Sequence, residues 1–146
     1  MSHRVETMMS ANGVTPWHKL GKVIESTATT AEALELAGLN WRVRKEPLRI
    51  ASEWHNGQTI PAFATVRETD ARVLGVVGPD YEVFQNDEAF EIGDDLKRAS
   101  GGSAQWETAG SLDDGSRVWM LLRTRADDVE EIAPGDAVRP YLLVAT

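Results

Sequence analysis

The stretch from Gln105 to Thr124 constrains the fold more than any other part of the sequence. Gln105–Leu112 and Arg117–Thr124 flank Asp113-Asp114-Gly115, a triplet of turn formers, and so predict a β-hairpin. In its second arm Val118, Met120 and Leu122 share one face, and Trp119 and Leu121 the other. A strand that is apolar on both faces needs cover on both, which predicts a central place in a sheet. Asn56-Gly57, between Leu48–Trp54 and Gln58–Arg67, marks a second hairpin, because a type I′ turn needs positive φ at both central residues. Further extended runs are expected at Trp41–Arg44, Arg72–Val77, Tyr81–Gln85 and Val138–Thr146. Pro47 lacks an amide hydrogen, so it should interrupt its strand or confine it to an edge.

Two helices fit between these strands. Thr29 and Glu32 have the spacing of a capping box, Ala33, Leu34, Leu36 and Ala37 form an apolar face, and Gly38 stops the helix. The second begins at Asn86 as N-cap, with Asp87 and Glu88 at the positive end of the helix dipole, and ends at Gly101-Gly102. Residues 1–28 show little periodicity and read as an arm, and 127–136 read as an acidic loop. The expectation is an α+β fold: an antiparallel or mixed sheet of two or more hairpins with two helices, as a single domain over 29–146.

With 146 residues, 42% hydrophobic and 26% charged, the chain can bury one substantial core. No apolar run is long enough to span a bilayer, and the N-terminus lacks a signal-peptide core, so no membrane partner is expected. The absence of cysteine excludes disulfides, thiolate-bound zinc and a Cys nucleophile, and points to the cytosol. Charge is unevenly spread. Residues 1–79 hold nine Lys/Arg and eight Asp/Glu, whereas 80–146 hold six and fifteen, within a net charge of −8. A nucleic-acid site, which runs on clustered cations, must therefore be local and in the first half.

Several stretches together resemble one family. Pro16-Trp17-His18-Lys19-Leu20-Gly21, Asn40-Trp41-Arg42-Val43 and Leu74-Gly75-Val76-Val77-Gly78 are joined by Tyr81 through Phe90, Thr108-Ala109-Gly110-Ser111-Leu112 and Arg117-Val118-Trp119. In this order they resemble the N-terminal part of phage- and plasmid-like proteins grouped as a domain of unknown function, family 932. Asn12-Gly13-Val14 departs from that pattern, which commonly has Leu-Gly-Thr there. The resemblance implies a mobile-DNA setting in a host cytosol and assigns no activity. It also implies further strands after Tyr141–Thr146, so the chain is expected to be part of a longer protein. The edge of that last strand should then pair with another protein or another copy, or lie exposed as an apolar patch.

Candidate sites are few. Arg42, Arg44, Lys45 and Arg49, with Trp41 and Trp54 nearby, could track a single-stranded nucleic acid, cations on phosphates and rings on bases. The competing reading is a solvated strand face with Trp41 turned inward, since Trp41 alternates with the arginines. Trp17 and His18 could form a recognition arm, or Trp17 could fill a gap in the core. Tyr81, Gln85, Asn86, Asp87 and Glu88 gather at a helix start, where an anion can sit, but the two acids would repel it. His3, His18 and His55 show no metal-ligand spacing, and no nucleophile is paired with a base. The reading therefore assigns no catalytic residue, metal or cofactor. It favours a non-enzymatic accessory protein of phage or plasmid DNA metabolism, with a protein-binding inhibitor of host defence as the alternative and an uncharacterised enzyme behind both.

Overall fold

The computed structural model describes residues 4–11, 13, 21–23, 29–51, 57–124 and 130–146. In chain order the elements are β1 (Val5–Ser10), β2 (Lys22–Val23), α1 (Thr30–Leu36), β3 (Val43–Arg49), β4 (Thr59–Arg67), β5 (Val73–Val77) and α2 (Asn86–Ala99). After them come β6 (Gln105–Leu112), β7 (Arg117–Arg123), β8 (Glu130–Ala133), β9 (Asp136–Val138) and β10 (Tyr141–Ala145). The fold is α+β, with mixed and antiparallel sheets. Contacts divide it into two compact units: a discontinuous one, Met1–Asn40 with Asn86–Thr146, and an insert, Trp41–Gln85.

The discontinuous unit holds a five-stranded sheet in the order β10-β7-β6-β1-β2. β1 departs from expectation: residues assigned to an irregular arm form an inner strand, antiparallel to β6 and parallel to the two-residue β2. Its signal is weak because Val5 to Ser10 mixes Glu and Thr with two methionines and does not alternate. The 105–124 hairpin forms as read, with a 3-10 turn at Asp113–Gly115. Within the stretch read as an acidic loop, β8 and β9 pair around Pro134-Gly135. Val138, assigned to the last strand, belongs to β9.

Both helices pack on the sheet, α1 against β1 and β6, and α2 against β7 and α1. The capping box of α1 is present: Glu32 N–H donates to Thr29 Oγ1 at 3.3 Å, and Thr29 N–H donates to Glu32 Oε2 at 2.8 Å. Those donors from Thr29 lower the Glu32 pKa. The helix closes on Gly38, at φ +69°, with Leu39 N–H on Leu34 O and Gly38 N–H on Glu35 O. At the layer interface Trp106 is fully buried, its ring 4.8 Å from that of Phe90 and its indole N–H on Thr30 Oγ1 at 3.3 Å. Thr30 Oγ1 in turn donates to Asp94, which ties α1 to α2. Gly93 makes room for this ring: a Cβ there would lie 2.1 Å from Trp106 Cη2. Val118, Met120 and Leu122 join Trp106 in the core, whereas Trp119, expected to be deeply buried, is only half-buried.

The insert is a three-stranded antiparallel sheet, β3-β4-β5, with β4 central. β3 runs through Pro47 without ending. Glu68 N–H bonds Arg42 O and Val43 sits opposite Arg67, so residues 42, 44 and 46 direct their backbone groups at β4. Residues 43, 45 and 47 direct theirs outward. Proline at 47 thus forfeits no ladder bond, and the strand is at an edge, as expected. The strand pairing extends to Ile50 N–H on Gln58 O. The Asn56-Gly57 turn falls mostly outside the described residues; Gly57 itself has φ +75°.

Candidate functional site

The four cations read as a nucleic-acid site lie on or beside β3 and do not all share one environment. Arg42, Arg44 and Arg49 are exposed, and Arg44 Nε pairs with Glu46 at 2.6 Å. Lys45 is half-buried beside Val43 on the inward-facing positions. Its ammonium donates to Pro79 O and Tyr81 O, each at 2.7 Å, and lies 4.6 Å from the Phe63 ring centre. Lys45 thus holds the insert together, and the exposed cations are the three arginines. Arg49 reaches the surface because the exposure pattern slips at Pro47, where the register with β4 also breaks.

The segment after β5 runs beside this edge. Gln85 Oε1 accepts from Val43 N–H at 3.0 Å and Gln85 Nε2 donates to Val43 O at 2.8 Å. A side-chain amide thereby satisfies the outward backbone groups of Val43 as a neighbouring strand would. Read as a strand, Tyr81–Gln85 has no regular structure, and this bond pattern is what fixes it in place. Tyr81 is 48% exposed and Phe84 43%, both on the segment that Lys45 and Val43 secure. The rings expected beside the cations are those of Trp41 and Trp54. Trp41 is buried, with the Arg67 guanidinium 5.2 Å from its ring centre, and Trp54 lies outside the described residues. Arg67 forks onto Asp70 at 3.0 and 2.7 Å. Its hydrogen bonds bring the Asp70 pKa down to about 2.

Trp17 and His18 lie outside the described residues. Asn86, expected as the N-cap of α2, is its first helical residue and is buried, its side-chain amide donating to Leu39 O at 2.9 Å. That bond accounts for the residue through packing of the helix start. Among the described residues no three His, Asp or Glu side chains gather as a metal site. A cavity of about 400 Å³ is lined by Arg4, Val5, Glu6, Asp113 and Asp114. Arg4 and Arg117 pair with Asp113 at 2.9 and 3.7 Å, and Arg4, Asp113 and Asp114 all have positive φ. Next to it, the fully buried Ser111 hydroxyl donates to Glu6 at 3.0 Å and meets Thr7 Oγ1 at 3.0 Å. A hydroxyl sealed in this way satisfies a buried polar group and is closed to a substrate. The alternating sequence of β6 gave no signal of this Glu6–Ser111 pairing, since it depends on β1 lying alongside.

No curated protein and no solved structure matches the chain. A family model for a domain of unknown function, DUF932, matches residues 73–146, from the start of β5 through β10. The β3 arginines and the Pro16–Gly21 stretch stand before that match, whereas Tyr81, Phe84, α2 and the β6–β7 hairpin stand within it. As the match covers half of its residues, the chain belongs to the DUF932 family.

Proposed function

We propose that this chain is a non-enzymatic accessory protein of phage or plasmid DNA metabolism, acting in the host cytosol, that holds single-stranded nucleic acid along the β3 edge of its insert. The observation that supports this reading is the grouping of exposed Arg42, Arg44 and Arg49 with exposed Tyr81 and Phe84 on a segment hydrogen-bonded to the same strand. Guanidinium groups pair with phosphates, and aromatic rings stack on bases whatever the sequence, each stack worth about 1–3 kcal/mol. Residues 41–85 hold six Lys/Arg and six Asp/Glu, whereas the rest of the chain holds nine against seventeen. The insert is thus the part of the chain that phosphate approaches without net repulsion.

Fluorescence anisotropy with a labelled single-stranded oligonucleotide at low and rising salt tests the reading. Three arginine contacts predict a slope of log affinity against log salt of about −2, from roughly 0.7 per phosphate on a single strand. Replacing Arg42, Arg44 and Arg49 by Ala should flatten that slope, and Tyr81→Ala with Phe84→Ala should weaken binding at all salts. Absence of binding by the unaltered chain at low salt, or indifference to the arginine substitutions, would sink the proposal.

A second reading, a protein-binding inhibitor of host defence, draws on the excess of acid in the discontinuous unit. A pull-down from host lysate that recovered no nuclease or restriction component would count against it.

A further inference from the structure

We propose that two copies of this chain join through their β10 edges into one antiparallel sheet, with Leu143 on the two-fold axis. The inference is independent of the nucleic-acid reading and rests on the other unit.

β10 ends its sheet, and among the described residues no strand pairs with its far side. Val118 and Thr146 exchange both backbone bonds, so they form a hydrogen-bonded pair with β7. Counting back through the register, Val144 opposite Met120 and Leu142 opposite Leu122 also direct their groups at β7. The N–H and C=O groups of Tyr141, Leu143 and Ala145 therefore point away from the sheet. Such a row is complementary to another strand. In an antiparallel self-pairing centred on Leu143, Leu143 meets Leu143 of the second copy and Tyr141 meets Ala145. All three outward residues then exchange both bonds, for about six hydrogen bonds. Centring the axis on Leu142 or Val144 uses only two of the three residues of the strand.

The side chains agree with that register. Leu143, at 60% exposure, is the most exposed large apolar residue of the strand, and it would be covered by its own copy. Tyr141, Leu143 and Ala145 stand opposite Arg123, Leu121 and Trp119, so the joined face is largely apolar. Residues 140–146 have no charged side chain, so self-pairing sets no like-charged side chains against each other in a chain of net −8.

Other edges are less suited. β2 is two residues long and carries Lys22, a common guard of an edge. In the insert, Gln85 and Pro47 block β3, and β5 is irregular in register around Gly75. Like-to-like pairing of one edge also closes under two-fold symmetry, where pairing of two different edges would run on into a filament.

The test uses the 146-residue chain in light scattering across a concentration series, with Leu143→Lys and Leu143→Cys. The unaltered chain should show a concentration-dependent dimer. Leu143→Lys puts two ammonium groups at the axis and should raise the dissociation constant on the order of tenfold or more. Its melting, read on dilute protein, should match that of the unaltered chain, since the side chain is exposed. The chain has no cysteine of its own, so mild oxidation of Leu143→Cys should give a single disulfide-linked dimer. The Cα separation of about 5.5 Å across such a pair lies within disulfide range. A monomer at every concentration, a dimer indifferent to Leu143→Lys, or no cross-link at Leu143→Cys would each overturn the proposal.

Discussion

The discontinuous unit closes around large apolar side chains: Met9, Phe90, Trp106, Met120 and Leu122 are all but fully buried there. In the insert the buried apolar side chains among the described residues are Trp41, Ala64 and Val66, and beside them lie Thr65 and Arg67. Val73, Val76, Tyr81 and Phe84 of the insert stay exposed. Polar staples take the place of a core: Arg67 on Asp70, Lys45 on two carbonyls, and Gln85 on Val43. The two strategies predict different weaknesses. A packed core fails when volume changes, since close-packed side chains relax only partly. A small stapled sheet fails when a charge or a hydrogen-bonding group is removed.

The largest effect should come from Trp106→Ala, with a loss of about 3–5 kcal/mol in urea unfolding of the discontinuous unit. The substitution removes the Phe90 contact and leaves Thr30 without its indole donor. Trp119→Ala should cost less, about 1–2 kcal/mol, because that ring is half-buried. Equal losses at the two positions would show that the sheet is covered equally on both faces, against the burial described.

Gly93→Ala comes next. Its Cβ would meet the six-membered ring of Trp106 at 2.1 and 2.5 Å, so helix and ring must move apart, at a cost of about 1–3 kcal/mol. Alanine is otherwise the better helix former, worth up to about 1 kcal/mol in the opposite sense. A net gain in stability would mean that α2 is free to lift from Trp106 and that the core is looser than the contrast between units requires.

How far the sequence reveals this molecule depends on the range over which each signal acts. The capping box at Thr29, the helix start at Asn86, the Asp113-Asp114-Gly115 hairpin and the edge placement of Pro47 are local, and all were legible. β1 was hidden because Thr7 and Glu6 find their reason in Ser111, more than a hundred residues away. Trp119 stands between Val118 and Met120 and Trp106 between Gln105 and Glu107, so the local sequence favours burial of the wrong ring; only the packing of the two helices reverses it. At the candidate site the three arginines were visible as a cationic run, but the fate of Lys45 was not. Its partners are backbone carbonyls of residues 79 and 81, which any sequence would offer. Tyr81 was legible only as part of the cluster at the start of the second helix, and neither it nor Phe84 as a ring beside the arginines, because their position depends on a single glutamine side chain pairing with Val43.

The smallest predicted effect sharpens the stapled side of the contrast through pH. Asp70 is exposed, yet the Arg67 guanidinium, held over Trp41, brings its pKa down to about 2 from the ordinary carboxyl value of 3.8. A carboxylate whose pKa is depressed by folding stabilises the folded form wherever the unfolded chain would also be ionised. That contribution is fully present above about pH 4, shrinks as the pH falls, and is gone once Asp70 is protonated near pH 2. Asp70→Asn removes the charge at every pH. Amide hydrogen exchange of β4 and β5 should therefore be faster in Asp70→Asn than in the unaltered chain at neutral pH. The difference should close between about pH 4 and pH 2. Solvent screening keeps the effect modest, because the pair is open to water on the Asp70 side. Glu32, whose pKa folding also lowers, is the same in both proteins and cancels in the difference. Two curves that coincide from neutral pH down to pH 2 would show that Arg67 holds the β4–β5 turn through its contact with Trp41, and that the staple to Asp70 contributes nothing measurable.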